Sequence, residues 1–373
     1  MSDARATPDP ASGHSAPRDT LESIQIMRGI AAIAVAFYHT HIVLARPEMG
    51  GLTVFGSVAT FGWTGVNFFF VLSGFIILLA HRRDIGVPAR AGNYLWRRFS
   101  RVYPIYWLFL TAYIAASAMG LGSPEFSWAP SNLLASYLLV QLGVPPSPPL
   151  KVAWTLFYEV AFYFAFLTVI LNRFWGGLLV GVWVLVILVN AFVLGNVANG
   201  WYIHTWNLYF LVGAGTLLAF RRIDPRHGVA ILVAGLALLA FAMASGFVDP
   251  RVGTFQDKPL PLLLLSVPFA LILLGAALGE RHHRVKFPRV LMLLGEASYA
   301  IYLIHSSVIS VVAPVLYHRG GAGLPPAVQF LLVVLSSIAV GTLAHVIVER
   351  PLLRGLRAIG PGPRATTAQA AAA

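Results

Sequence analysis

The chain has no cysteine among its 373 residues. A disulfide, a thiolate nucleophile and a cysteine-based metal site are therefore all excluded. Charge is scarce as well: Asp, Glu, Lys and Arg make up 11% of the residues, about half the share carried by a soluble domain. Acidic side chains are the scarcer kind, 14 against 26 Lys and Arg, which leaves a formal net charge of +12. No polar interval is long enough to hold a second folded unit, and no internal repeat is visible. Residues 1–23 lack a basic stretch joined to a short apolar core, so they do not read as a signal peptide.

What the chain has in abundance is hydrophobic side chains, 58% of the total, in runs that recur from Ile24 to Val348. A run of roughly 20 apolar residues crosses a bilayer as a helix. Lipid offers the backbone no hydrogen bonds, so such runs must satisfy their own polar groups. The pattern predicts an all-α integral membrane protein with about ten transmembrane helices in one bundle, at 24–45, 61–80, 102–121, 153–171, 176–195, 203–220, 228–247, 260–279, 291–316 and 327–348. Residues 24–350 form the predicted transmembrane domain. Residues 1–23 are expected to be a disordered tail, and 351–373 a basic then Ala-rich one.

With the N-terminus in the cytoplasm, 21 basic residues fall inside and 5 outside. That asymmetry predicts an even number of spans with both termini cytoplasmic. Topology thus accounts for most of the net charge, and no nucleic-acid partner is called for. Some of it remains available for an anionic ligand at the cytoplasmic face. The longest polar interval, about 122–152, is expected outside; its weakly apolar segment Asn132–Leu142 is too short to cross and reads as an interfacial or cavity-capping element.

Against this apolar background the ionisable residues stand out. Ten residues separate Arg28 from His39, so eleven steps of about 100° bring both onto one helical stripe, about 16.5 Å apart. Alone, Arg28 reads as an interfacial anchor and His39 as a packing histidine; sharing a stripe, they read as a site, with the imidazole suited to general-base work. Arg97, Arg98 and Arg101 precede Tyr103, Pro104, Tyr106 and Trp107. Topology requires positive charge there, and three arginines beside aromatic rings also suit phosphates and a purine. Trp154, Glu159 and Tyr163 open the fourth span, placing Glu159 at a depth resembling that of His39. An intramembrane carboxylate is a functional candidate unless it is simply bonded to Tyr163. Ser298, Tyr302 and His305 form a polar stripe at i, i+4, i+7. His345 and Glu349 are also one turn apart, but Glu349-Arg350-Pro351 reads as a helix end. No metal site is expected.

Together these segments resemble the membrane-bound acyltransferase 3 family, which includes bacterial O-acetyltransferases acting on surface polysaccharides. The resemblance rests on Arg28-x10-His39, Phe69-Phe70-Val71-Leu72-Ser73-Gly74-Phe75, Arg97-Arg98-x-x-Arg101-x-x-Pro104-x-Tyr106-Trp107, Trp154-x4-Glu159, Ser298-Tyr299-x-x-Tyr302-Leu303-x-His305 and Glu349-Arg350-Pro351, in that order. The opening Ile24-Gln25-x-x-Arg28-Gly29-Ile30-Ala31-Ala32 is most similar to the exopolysaccharide acetyltransferases. The resemblance implies a multi-pass protein of the bacterial inner membrane that takes acyl-CoA, usually acetyl-CoA, from the cytoplasm and acylates a glycan hydroxyl. On that reading His39 and Glu159 are catalytic candidates, and Arg97, Arg98 and Arg101 hold the donor's phosphates. Arg28, Trp154, Tyr163, Ser298, Tyr302 and His305 are then substrate-binding. The competing reading is a proton-coupled transporter of a glycan or small metabolite, which also uses intramembrane His and Glu.

Overall fold

The computed structural model describes residues 21–121, 126–142, 146–195, 200–249, 257–283 and 285–360, and these contain helices and no strand. Twelve helices matter for the site: α1 Glu22–Leu44, α2 Thr64–His81, α3 Ala91–Ala118, α4 Pro130–Leu138, α5 Trp154–Leu171, α6 Arg173–Phe192, α7 Asn207–Phe220, α8 Gly228–Ala244, α9 Ser266–His283, α10 Ser298–His318, α11 Pro326–Ala344 and α12 Arg350–Ile359. The expected tails lie outside the described residues over 1–20 and 361–373; between them, α1 starts at Glu22 and residues 350–359 are helical rather than tail.

Among the described residues nine helical stretches are long and apolar enough to cross a membrane, and the chain is an all-α integral membrane protein. The remaining expected span, 102–121, belongs to α3, which begins at Ala91 and so carries Arg97, Arg98 and Arg101 in the same helix. Pro104 lies inside that helix, which continues through it. A single residue separates α5 from α6: Asn172, in extended backbone, accepts from the amides of Phe174 at 2.9 Å and Trp175 at 3.0 Å. That cap satisfies N–H groups a helix start leaves open.

Close backbone approach sets the tightest packing. A Cβ on Gly74 of α2 would overlap the Phe210 carbonyl oxygen of α7, and one on Gly213 would overlap the Val71 carbonyl oxygen. Each glycine receives the other helix's backbone, as small residues do wherever membrane helices lack a hydrophobic driving force for association.

The Asn132–Leu142 segment, expected at the interface or as the cap of a cavity, enters the bundle. The C-terminal carbonyls of α4 accept hydrogen bonds from three α3 side chains: Ser136 from the Tyr106 hydroxyl at 2.8 Å, Tyr137 from Trp107 Nε1 at 2.8 Å and Leu138 from the Tyr103 hydroxyl at 2.9 Å. Tyr106 is twelve residues from the Ala118 end of α3, about 18 Å along the axis, so α4 is re-entrant. Its last carbonyls lack the amides of a further helical turn, and three aromatic donors converge on them. Asn132 clamps the two arms of the excursion, donating to the carbonyls of Ser127 at 2.7 Å and Ser147 at 2.9 Å while accepting from the Ser147 amide at 2.8 Å.

At the other end, α11 passes into α12 through a π-helical turn, His345–Glu349. Such turns redirect side chains that a regular helix would space evenly, and they are frequent at functional sites.

Candidate functional site

The arginines of α3 open onto a cavity of about 640 Å³ at one end of the bundle, lined by Arg28, Arg97, Arg98, Arg101, Glu159 and Tyr163 among others. It narrows into a slot of about 80 Å³ walled by Phe69, Phe70, Ser298, Tyr299, Thr155 and Tyr302, with Arg28, Ser73, Arg101 and Glu159 common to both spaces. Six helices, α1, α2, α3, α5, α10 and α12, therefore supply one continuous path from a basic vestibule to an aromatic neck.

Each arginine is held differently. The Arg101 guanidinium donates to Glu349 Oε1 at 3.1 Å and lies over the Tyr299 ring at 5.5 Å. Glu349 is fully buried, and its other oxygen accepts from His345 Nδ1 at 2.8 Å. Reading Glu349 as a plain helix end is thus corrected: the π turn aims its carboxylate inward between two cationic or donor groups. Arg98 faces His81 Nε2 at 3.3 Å and lies over the Tyr163 ring at 5.7 Å. Asp84 accepts from His81 Nδ1 at 2.8 Å and from Arg90 at 2.6 Å. Burial works against the Asp84 carboxylate, but the bonds from Arg90 and His81 outweigh it and hold its carboxyl below the usual range. Arg97 is exposed and donates through Nε to Asn93 at 3.1 Å.

Glu159 accepts from the Tyr163 hydroxyl at 2.5 Å and shares the cavity wall with Arg28. Its expected depth, level with His39, is corrected by the contacts around it. One turn before it on α5, Thr155 shares a 3.0 Å hydrogen bond with the Tyr302 hydroxyl, which also lies 3.2 Å from the Val152 carbonyl oxygen. Glu159 therefore stands one turn further toward the arginine end, where it shares the wall with Arg28. Ser298 is fully buried in the slot wall and its hydroxyl has no hydrogen-bond partner among the described residues. Trp154 lines neither space; it packs on Trp206, with ring centroids 4.6 Å apart, in an aromatic cluster with Tyr158.

His39 and His305, on α1 and α10, come together beyond the Tyr302 end of the slot. His305 Nε2 is 3.2 Å from His39 Nδ1, and the rings are 4.8 Å apart. Hydrogen-bond logic fixes both tautomers of the neutral pair. His305 Nδ1 faces the Tyr302 carbonyl at 2.6 Å and the Ile301 carbonyl at 3.3 Å, so it must carry the proton. Its Nε2 is then an acceptor. His39 Nδ1, which also faces the Val35 carbonyl at 2.9 Å, is the donor. The lone pair of His39 is left on Nε2, the nitrogen a general base needs free.

Sequence reasoning missed Glu349, Thr155 and Tyr299 as site members. The i, i+4 spacing of His345 and Glu349 was the signal for the first, and the Ser298-Tyr299-x-x-Tyr302 motif was the signal for Tyr299; nothing in the sequence singles out Thr155. Among the described residues no group of three His, Asp or Glu side chains is placed to hold a metal ion.

Residues 21–346 match the acyltransferase domain family. Exopolysaccharide production protein ExoZ of Rhizobium meliloti (strain 1021) is 32% identical over 313 residues, covering 80% of this chain and 92% of that protein. Acyltransferase MdmB of Streptomyces mycarofaciens is 26% identical, over 94% of this chain and 97% of its own length. Peptidoglycan O-acetyltransferase OatA of Listeria monocytogenes is 25% identical over 80% of this chain, a match that spans 51% of OatA. No solved structure matches.

Proposed function

Because this chain belongs to the acyltransferase family whose domain covers residues 21–346, we propose that it transfers an acyl group, by default acetyl, from cytoplasmic acyl-CoA to a hydroxyl of a cell-surface or exported glycan. The arginine vestibule is the donor entrance and faces the cytoplasm, where both termini lie; the membrane is the bacterial inner membrane. The split of basic residues supports that orientation. The similarity to an exopolysaccharide production protein and a peptidoglycan O-acetyltransferase supports a glycan acceptor.

The observation that carries the reading is the free Nε2 of His39 beyond the neck of a slot that starts among arginines. The donor's phosphates rest on the α3 arginines and its arm lies in the slot beside Ser298, whose hydroxyl offers an unused hydrogen bond. The thioester carbonyl comes to the Tyr302 and Thr155 hydroxyls, whose protons turn from the Val152 carbonyl and from each other to the oxyanion that forms there. His39 Nε2 removes the acceptor's hydroxyl proton as its oxygen attacks, the C–S bond breaks, and the CoA sulfur takes that proton and leaves as the thiol toward the vestibule, which returns His39 to its neutral form. Glu159 and Tyr163 keep Arg28 in the cavity wall; Glu159 is a positioning residue on this reading rather than a partner of His39.

The test uses purified protein in lipid nanodiscs with acetyl-CoA and an unacylated glycan. Release of free CoA together with ester on the glycan, abolished in His39→Ala at equal protein, is the expected result. Undiminished transfer by His39→Ala removes the imidazole from the chemistry, and absence of any ester from the native chain removes the glycan reading.

A further inference from the structure

We propose that Arg357, on α12, closes the mouth of the donor vestibule and with Arg97 holds the 3′-phosphate of the donor's nucleotide beside Trp96. The proposal rests on the acyl-CoA reading above and adds a recognition element beyond the family-matched residues, since α12 begins at Arg350 and the match ends at residue 346.

The arginines around the vestibule divide by what already engages them. Arg101 is committed to the buried carboxylate of Glu349, Arg98 sits between His81 and the Tyr163 ring, and Arg28 donates to Gln25 at 3.3 Å beside Glu159. Among the described residues Arg97 uses only Nε, on Asn93, which leaves both terminal nitrogens open. Arg357 makes no hydrogen bond or ion pair among the described residues, yet it lines the cavity. The two uncommitted guanidinium groups thus come from α3 and α12, with Trp96 in the same wall.

Helix α12 is fixed at both ends. Glu349, immediately before it, is buried on Arg101 and His345. At its far end the Gly360 backbone lies so close to Trp96 that an added Cβ would overlap the indole nitrogen. Between these anchors Leu353, Arg357 and Gly360 follow i, i+4, i+7 and line the cavity, whereas Arg350 and Arg354 do not. A phosphate monoester carries about −1.5 to −2 charges at neutral pH and matches a pair of planar guanidinium forks. The indole offers its face to the purine. The deeper Arg98 and Arg101 then meet the diphosphate, nearer the slot, with the nitrogens that His81 and Glu349 do not engage.

A phosphate on a lipid headgroup has related chemistry, and α12 carries three exposed arginines, so the experiment separates the two. Dissociation constants of CoA and 3′-dephospho-CoA are measured by calorimetry on the full chain, in nanodiscs of phosphatidylcholine and in discs containing phosphatidylglycerol. The native chain should prefer CoA by roughly fivefold to tenfold. Arg357→Gln should erase that preference while leaving the dephospho form's affinity within twofold; Arg354→Gln, with the same charge loss on the same helix, should preserve it. Equal weakening of both ligands by Arg357→Gln, or no change in either, overturns the proposal. So does an equal effect of both variants that appears only with phosphatidylglycerol, which assigns Arg357 to lipid. If the native chain binds neither ligand, the donor reading itself fails, a result distinct from loss of the 3′-phosphate preference alone.

Discussion

His39 Nδ1 and His305 Nε2 face each other at 3.2 Å across the α1–α10 interface. Because the Tyr302 carbonyl accepts from the Nδ1–H of His305 and leaves its Nε2 an acceptor, this contact decides which nitrogen of His39 is basic.

Replacing His39 by alanine should lower turnover by about 10²- to 10⁴-fold, the range for loss of a general base. Replacing His305 should act through tautomer and orientation. His305→Leu is expected to lower kcat by roughly tenfold or more with little change in the donor KM, and His305→Gln, whose amide oxygen can accept from His39 Nδ1, should recover most of it. Equal loss in the leucine and glutamine variants would sink the positioning role.

Glu349 bridges Arg101 and His345 inside the π turn. Glu349→Gln removes the charge and leaves Arg101 without its anion. Breaking a buried pair costs roughly 3–5 kcal/mol, and the partial exposure of Arg101 reduces that to about 2 kcal/mol. Thermal unfolding of the detergent-purified protein measures the loss, and calorimetry should show weaker acyl-CoA binding because both Arg101 and α12 lose their anchor.

The re-entrant helix α4 depends on donors from α3. Tyr106→Phe leaves the Ser136 carbonyl without its 2.8 Å partner and should cost about 1 kcal/mol or more. The native absence of cysteine allows a direct test of depth: a membrane-impermeant maleimide should label Ala129→Cys from outside and leave Leu138→Cys unlabelled. Labelling of both would place the segment on the surface.

The α2–α7 crossing leaves no room for a side chain at Gly74 or Gly213. Gly213→Leu should abolish recovery of monodisperse protein, and Gly213→Ala should reduce it, as read by size-exclusion chromatography. Gly177→Ala, at a position with nothing within 4 Å of an added Cβ, is the control and should match the native chain.

Asp84 supplies the pH dependence at the basic end. Its folded carboxyl titrates below its unfolded value, so it stabilises the fold above the unfolded pKa, and that contribution is lost as pH falls through the lower folded pKa. Asp84→Asn should therefore lower the melting temperature at neutral pH and narrow its gap from the native chain as the buffer is acidified toward that range. A gap that stays constant with pH would show that the pairing with Arg90 and His81 contributes nothing.

The hydrophobic runs by themselves determined that this protein is a helical membrane bundle, because lipid leaves a polar backbone no alternative to helices. The Arg28-to-His39 interval put both on one stripe, and the 298, 302, 305 spacing put Tyr302 and His305 on another, since both follow from helical periodicity alone. Periodicity says nothing about which stripes meet. Only the tertiary structure set His305 against His39, assigned Glu159 to the level of Arg28, and turned Glu349 inward, because each depends on where one helix stops or bends relative to another. The re-entrant α4 was equally hidden: its short apolar stretch has the composition of an interfacial helix, and its depth is decided by Tyr103, Tyr106 and Trp107 on a different helix. The free nitrogen of His39 comes from the same source, a proton position fixed by a carbonyl 263 residues away in the chain, at Tyr302.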